Sequence, residues 1–85
     1  MRSFMYTIKI PVGLHARHAG LLVRETSQYQ SAVTFSKGDK SANGKAILHL
    51  MGLGVKQGDV VTVSLEGPDE DEAAMRLKSF LFKNF

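Results

Sequence analysis

The chain contains no cysteine and no tryptophan, and only two of its 85 residues are proline. Without cysteine it can form neither disulfides nor thiolate metal sites, so a hydrophobic core must hold the fold together. No apolar stretch approaches the ~20 residues that a membrane span requires. The start of the chain alternates between apolar and polar residues and lacks the unbroken apolar run of a signal peptide. We therefore expect one soluble domain, residues 1–85, in the cytoplasm.

The net charge of +3 raises the question of nucleic-acid binding. The eleven lysines and arginines are scattered along the chain, whereas the acidic residues concentrate at positions 69–72. A platform that stacks bases needs aromatic side chains interleaved with cations, and no strand shows that pattern. We therefore expect no nucleic-acid partner, although the basic surface could attract an acidic protein.

Alternation of apolar and polar residues predicts four short strands. In the first, the alternate residues from Phe4 to Ile10 share one face. Between the second and third strands, Gly38 supplies the positive φ angle of a tight hairpin. The predicted strands cover residues 1–10, 32–36, 40–42 and 60–65.

Helical spacing of apolar residues predicts three helices. In the last of them we expect Asp69 to cap the first turn with its side chain, and Glu72 to complete a capping box. The order strand, helix, strand, strand, helix, strand, helix indicates a two-layer α+β sandwich with an antiparallel sheet. The predicted helices cover residues 16–27 and 45–53 and a segment that begins at Pro68-Asp69.

One stretch alone combines a nucleophile, a cation and the start of a helix. His15 falls near the N-cap of the first predicted helix, where unpaired amides and the helix dipole attract phosphate. A free histidine is mostly neutral near pH 7, so its lone pair can attack phosphorus. Arg17 adds a guanidinium group that can bind phosphoryl oxygens. Positioning and charge stabilisation are the main requirements of phosphoryl transfer.

Taken alone, a histidine beside an arginine at a helix start is usually an ordinary surface feature. The chain has no Walker loop, no HExxH motif and no paired carboxylates in a readable arrangement. His18 and His49 are too few and too far apart in sequence to indicate zinc. We expect no metal and no cofactor, and the residues by themselves support only a phosphate-binding hypothesis.

The segment Gly13–Arg17, with the sequence GLHAR, resembles the active-site signature of HPr phosphocarriers of the bacterial sugar phosphotransferase system. The resemblance extends over nearly the whole chain and includes residues 27–29, 44–54 and 66–70. It implies an open-faced β-sandwich, in which three helices cover one side of a four-stranded antiparallel sheet in the order βαββαβα.

The resemblance also implies a function. His15 would accept a phosphoryl group on Nδ1 from phosphorylated enzyme I and pass it to sugar-specific IIA domains. Arg17 would stabilise the group. From the position of the helix start, and not from the resemblance, we also expect Ala16 and His18 to contact the phosphoryl group. Such a carrier turns over no small molecule, so whether it is an enzyme is a matter of definition. Members of the family are usually monomers, and we expect a monomer, with a dimer through the second helix left open.

Two residues depart from the family pattern. His18 stands where the family usually has proline, and we expect a tolerated substitution, with a second phosphate contact or an alternative acceptor as the other possibilities. Ala46 stands where many Gram-positive members carry a serine that a regulatory kinase phosphorylates, so that switch cannot operate here. These departures keep open an alternative function, namely an HPr-like regulatory or protein-binding module that is not competent in sugar transport.

The short second helix carries more apolar residues than one face can bury. Some of them should be exposed, and an exposed apolar cluster often marks an interaction surface. The family docks its partners there, beside the histidine. We expect Leu50 to enter the core. The expected docking surface comprises Gly20, Arg24, Lys45, Ile47, Leu48 and Met51.

Overall fold

The computed structural model describes residues 1–85 and contains four strands and three helices in the predicted order. Each predicted element is present, with ends that differ by a few residues. The elements are β1 (Arg2–Thr7), α1 (Ala16–Thr26), β2 (Ala32–Lys37), β3 (Lys40–Asn43), α2 (Ile47–Gly52), β4 (Val60–Glu66) and α3 (Glu70–Asn84).

The four strands form one antiparallel sheet with the spatial order β1-β4-β2-β3. The central strand β4 pairs with β1 on one side and with β2 on the other, so Val63 lies between Phe4 and Phe35. The β2–β3 hairpin turns at Gly38, whose φ of 62° confirms the predicted positive angle. The antiparallel sheet of the sequence prediction is therefore confirmed.

The core lies on one side of this sheet. Along β4, the alternate residues from Val61 to Leu65 are fully buried, whereas Thr62 and Ser64 between them are half-buried. The buried residues form one cluster with apolar side chains of all three helices, among them Leu22, and each such burial stabilises the fold by about 1.5–3 kcal/mol. Because the other face carries hydroxyl groups and no helix, the open-faced sandwich is confirmed.

The end of β1 and the start of α2 differ from the prediction by two or three residues, for different reasons. β1 ends at Thr7 rather than at residue 10, since the next amides leave the sheet ladder. The N–H groups of Lys9 and Ile10 both donate to the Phe85 carbonyl, at 2.6 and 3.2 Å. α2 begins two residues later than predicted, because Ala46 is its N-cap and has extended backbone.

The predicted capping box at the start of α3 is wrong. Asp69 is the N-cap residue, but its carboxylate makes no capping hydrogen bond, and Glu72 is exposed without a partner. The carboxylate instead accepts the N–H groups of Gln30 and Ser31, each at 2.9 Å, and the hydroxyl of Ser31. Asp69 therefore joins α3 to the turn before β2, across 38 residues of sequence.

The far end of α1 is also attached to neighbouring elements. The Thr26 hydroxyl donates to the Gly44 carbonyl at 2.7 Å, in a fully buried hydrogen bond. The Tyr29 hydroxyl donates to Glu25 at 2.6 Å, and Arg76 of α3 pairs with the same carboxylate at 3.3 Å. Burial and the adjacent Glu25 carboxylate raise the pKa of Tyr29, so its hydroxyl stays protonated as a donor. These contacts orient the helix whose N-cap residue is His15.

Replacing Asp69 with alanine should lower the melting temperature, because the Ser31 hydroxyl and two amides lose their acceptor. The Ser31 hydroxyl, followed by the Gln30 amide, holds the pKa of Asp69 below its usual range. The carboxylate's stabilisation of the fold is therefore complete at pH values above the ordinary pKa near ~4. It is lost as the pH falls through the lower pKa of the folded protein.

Calorimetry of Asp69→Ala and the wild type should give melting temperatures that converge in acid. Asp39→Ala, in the exposed hairpin turn, is the control; equal effects at both positions would contradict the prediction.

Candidate functional site

The loop between β1 and α1 holds the candidate site in one backbone conformation. Gly13 has a φ of +69°, in the region that favours glycine, and its N–H donates to the Ile10 carbonyl at 3.3 Å. The next amide, that of Leu14, donates to the Val55 carbonyl at 3.3 Å, and the Leu14 side chain is buried. Hydrogen bonds to Ile10 and to Val55 therefore fix the backbone just before α1 begins.

His15 occupies the N-cap of α1, as predicted. Its backbone is extended, with φ −86° and ψ 174°, and its carbonyl accepts the first helical hydrogen bond from the Ala19 N–H at 2.8 Å. The residue is exposed and its side chain makes no capping hydrogen bond. An accessible imidazole at the mouth of a helix is the arrangement that a phosphoryl acceptor needs.

The first turn of α1 presents unused hydrogen-bond donors. The backbone N–H groups of Ala16, Arg17 and His18 make no hydrogen bond within the chain. The turn contains no acidic residue, and the exposed Arg17 guanidinium has no ion-pair or hydrogen-bond partner. Unpaired amides, the positive end of the helix dipole and a free cation make this turn suitable for an anion.

The His18 side chain packs against α3 and does not add to the anion-binding groups of the first turn. Its ring packs edge-on against the Phe85 ring, with the centroids 5.6 Å apart and the planes at 71°. The Nδ1 atom is buried and has no hydrogen-bond partner. A phosphoryl donor could not reach that nitrogen, which disfavours Nδ1 of His18 as an alternative acceptor.

The predicted exposure along α2 is confirmed. Leu48 is 79% exposed and Ile47 and Met51 are also exposed, whereas Leu50 is fully buried in the core. α2 packs beside α1, so this apolar surface adjoins the helix that His15 caps.

The remaining residues of the expected docking surface differ in their surroundings. Arg24 is exposed, and a side chain added at Gly20 would meet no atom within 4 Å, which leaves α1 open to a partner there. Lys45 is half-buried and its ammonium donates to the Tyr29 carbonyl at 2.7 Å. The hydrogen bond to Tyr29 therefore holds the positive charge of Lys45 in one position on the expected docking surface. The docking role of these residues stays a prediction.

Two contributors to the site were not identified from the sequence. The carbonyls of Val55 and Phe85 hold the loop before His15, although both residues look like ordinary apolar positions in the sequence. Both act through main-chain atoms and from distant segments, so no side-chain motif could have revealed them.

Other parts of the surface offer no competing catalytic cluster. No group of three or more histidine, aspartate or glutamate side chains could hold a metal ion. A groove of about 810 Å³ lies between β1 and α3, but none of its lining residues belongs to α1 or to the preceding loop. No helix has the length and apolar character needed to cross a membrane. The candidate site is thus an open helix start rather than a pocket.

Comparisons with known proteins agree with the resemblance found in the sequence. A family model described as "PTS HPr component phosphorylation site" matches residues 2–83. The phosphocarrier protein HPr of Mycoplasma genitalium is 39% identical over 85 residues, which cover 99% of this chain and 97% of the relative. The crystal structure of HPr-C-His from Thermoanaerobacter tengcongensis matches with a TM-score of 0.93 and 41% identity, covering 100% of this chain and 96% of the other.

An HPr dimer from Thermoanaerobacter tengcongensis is also similar, with a TM-score of 0.76 and 41% identity, covering 98% of this chain and 95% of the other. Our expectation of a monomer therefore stays a prediction for this chain.

Gly13→Ala should destabilise the loop before His15. An added Cβ would lie 2.2 Å from the Val55 carbonyl oxygen, a backbone atom that cannot easily yield, and alanine also disfavours a φ of +69°. We expect the free energy of unfolding to fall by about 2–4 kcal/mol, measured by urea denaturation. Gly20→Ala is the matched control, since nothing lies near its Cβ and alanine favours a helix by about 0.5–1 kcal/mol. Equal destabilisation by both changes would contradict this account of the loop.

Proposed function

The chain belongs to the HPr family of phosphocarrier proteins of the phosphotransferase system, and from this premise we propose that His15 carries the phosphoryl group. The observation that supports the assignment is the exposed imidazole of His15 at the N-cap of α1, beside a turn of unpaired amides. Of the three histidines, it alone combines exposure with that position.

In the proposed reaction, the lone pair of a neutral His15 nitrogen attacks the phosphorus of the incoming group. A nitrogen–phosphorus bond forms while the bond between phosphorus and the donor breaks, and the electrons of that bond stay with the donor. The other ring nitrogen keeps its proton. Family resemblance indicates Nδ1 as the modified atom.

Charge stabilisation comes from the first turn of α1. The amides of Ala16 and Arg17 are free to donate to phosphoryl oxygens, and the unpaired Arg17 guanidinium can bind them while charge spreads over the oxygens in the transition state. In the onward step the acceptor's nucleophile bonds to phosphorus, the bond between phosphorus and His15 breaks with its electrons returning to the imidazole, and the same groups stabilise the charge. The chain therefore needs no metal or cofactor of its own to hold and release the group.

The proposed partners are enzyme I as the donor and IIA domains of sugar permeases as acceptors, with the cytoplasm as their common compartment. We assign their docking to the surface formed by Gly20, Arg24, Lys45, Ile47, Leu48 and Met51. Its apolar centre adjoins the helix of His15, so a docked partner would bring its own phosphoryl-bearing residue near the imidazole.

The family assignment favours a carrier over a binding module without transfer activity. Ala46 lies at the N-cap of α2, where a serine hydroxyl would be available for modification, and alanine offers none. We therefore propose a carrier whose activity is not controlled by phosphorylation at this position.

The carrier function is tested by incubating the protein with enzyme I and phosphoenolpyruvate. We expect one phosphoryl group per chain, labile in acid, and complete loss of labelling in His15→Ala. The controls are His49→Ala and His18→Ala, which keep the proposed acceptor and should still be labelled. Onward transfer to a IIA domain would separate a carrier from a regulatory module. Persistent labelling of His15→Ala would refute the assignment.

The docking surface is tested by Leu48→Asp, which places a charge at its most exposed apolar residue. With the variant as the substrate of enzyme I, we expect its KM to rise about tenfold. Truncating or charging a central interface residue typically costs that much affinity. The phosphorylated variant, once formed, should keep its normal lifetime. Met75→Asp is the control, since Met75 is 73% exposed on α3, in the groove beside β1. An equal rise in KM for both variants would argue against docking at α2.

A further inference from the structure

We propose that the backbone N–H of His18 is a direct ligand of the phosphoryl group on His15. This inference rests on the proposed function, because it concerns the phosphorylated state of the same histidine. It assigns to His18 a role that its main chain performs and its imidazole does not.

Position along the helix supports the assignment. A side chain at the N-cap reaches the amides of the second and third helical residues, which is how serine or aspartate caps a helix. With His15 at the N-cap, those residues are Arg17 and His18, and both amides lack a partner. A phosphoryl group on the His15 ring extends the N-cap side chain and supplies oxygens as acceptors for these two donors.

The placement of the His18 ring leaves its amide available. The imidazole packs edge-on against Phe85 and buries its Nδ1 atom, so the ring lies against the end of α3. Its buried Nδ1 has no access to a phosphate held outside the helix. The residue can therefore contribute through the main chain, and alanine at this position would keep the same N–H donor.

Proline is the one residue type that removes this donor, because its nitrogen carries no hydrogen. Proline is tolerated in the first turn of a helix, where no intrahelical hydrogen bond is lost. Comparing His18→Pro with His18→Ala therefore separates the amide from the imidazole.

The test is a competition for a limiting phosphoryl group. Wild-type protein and one variant are mixed in equal amounts with catalytic enzyme I and a limiting amount of phosphoenolpyruvate, and the phosphorylated fractions are read by native mass spectrometry at equilibrium. We expect His18→Ala to lose much less of the group than His18→Pro does, because alanine keeps the backbone N–H. His18→Pro should hold about tenfold less than the wild type, which corresponds to one hydrogen bond to a charged acceptor. Equal sharing by His18→Pro, or an equal loss in both variants, would overturn the proposal.

A second measurement uses the unmodified sequence and does not depend on how the proline variant folds. In ¹H–¹⁵N spectra of the wild type, the amide protons of Arg17 and His18 should move downfield when His15 is phosphorylated. An unchanged His18 resonance in a protein that is phosphorylated on His15 would overturn this inference and leave the carrier function intact. Failure of His15 to become phosphorylated would instead refute the carrier function.

Discussion

A helix cannot satisfy its own first amides, and the candidate site depends on that constraint. In most helices a capping side chain accepts one of these donors, but His15 occupies the N-cap of α1 without doing so. Three consecutive amides and a guanidinium are therefore held ready for an anion, and no acidic residue in the turn competes for them. The cost of leaving donors unpaired is small at an exposed helix start, because water can bind them until phosphate replaces it.

The rest of the fold holds this turn in place. β4 pairs on both sides and carries the most buried positions of the sheet, and the helices pack on that one face. α1 is attached at its far end through Thr26 and through the network of Tyr29 and Glu25, while the loop at its near end is held by main-chain carbonyls. The imidazole of His15 stays exposed because the helix and the loop around it make their hydrogen bonds to other segments of the chain.

The sequence pattern predicted those features that depend on neighbouring residues along the chain. Alternation predicted the strand that became β4, helical spacing predicted α1, and the loop-to-helix junction placed His15 near the N-cap. The family resemblance added the function, which the residues alone left as a phosphate-binding hypothesis.

Prediction failed where a residue used a distant partner. Asp69 had all the local features of a capping residue, yet its carboxylate binds the turn before β2, because amides there lack any other acceptor. β1 ended early because the amides of Lys9 and Ile10 found the carbonyl of Phe85. Such pairings depend on how elements meet in three dimensions, and a single sequence carries no sign of them.

The two hydrogen bonds that the loop donates to Phe85 couple regions that are far apart in the sequence. Terminal helical turns open and close more readily than the core does. Each opening of the last turn of α3 would release the two amides ahead of Gly13 and withdraw the ring that supports His18. The geometry of the histidine therefore depends on the end of a helix to which it does not belong. A change in the last turn of α3 would therefore alter the surroundings of His15 without contacting it.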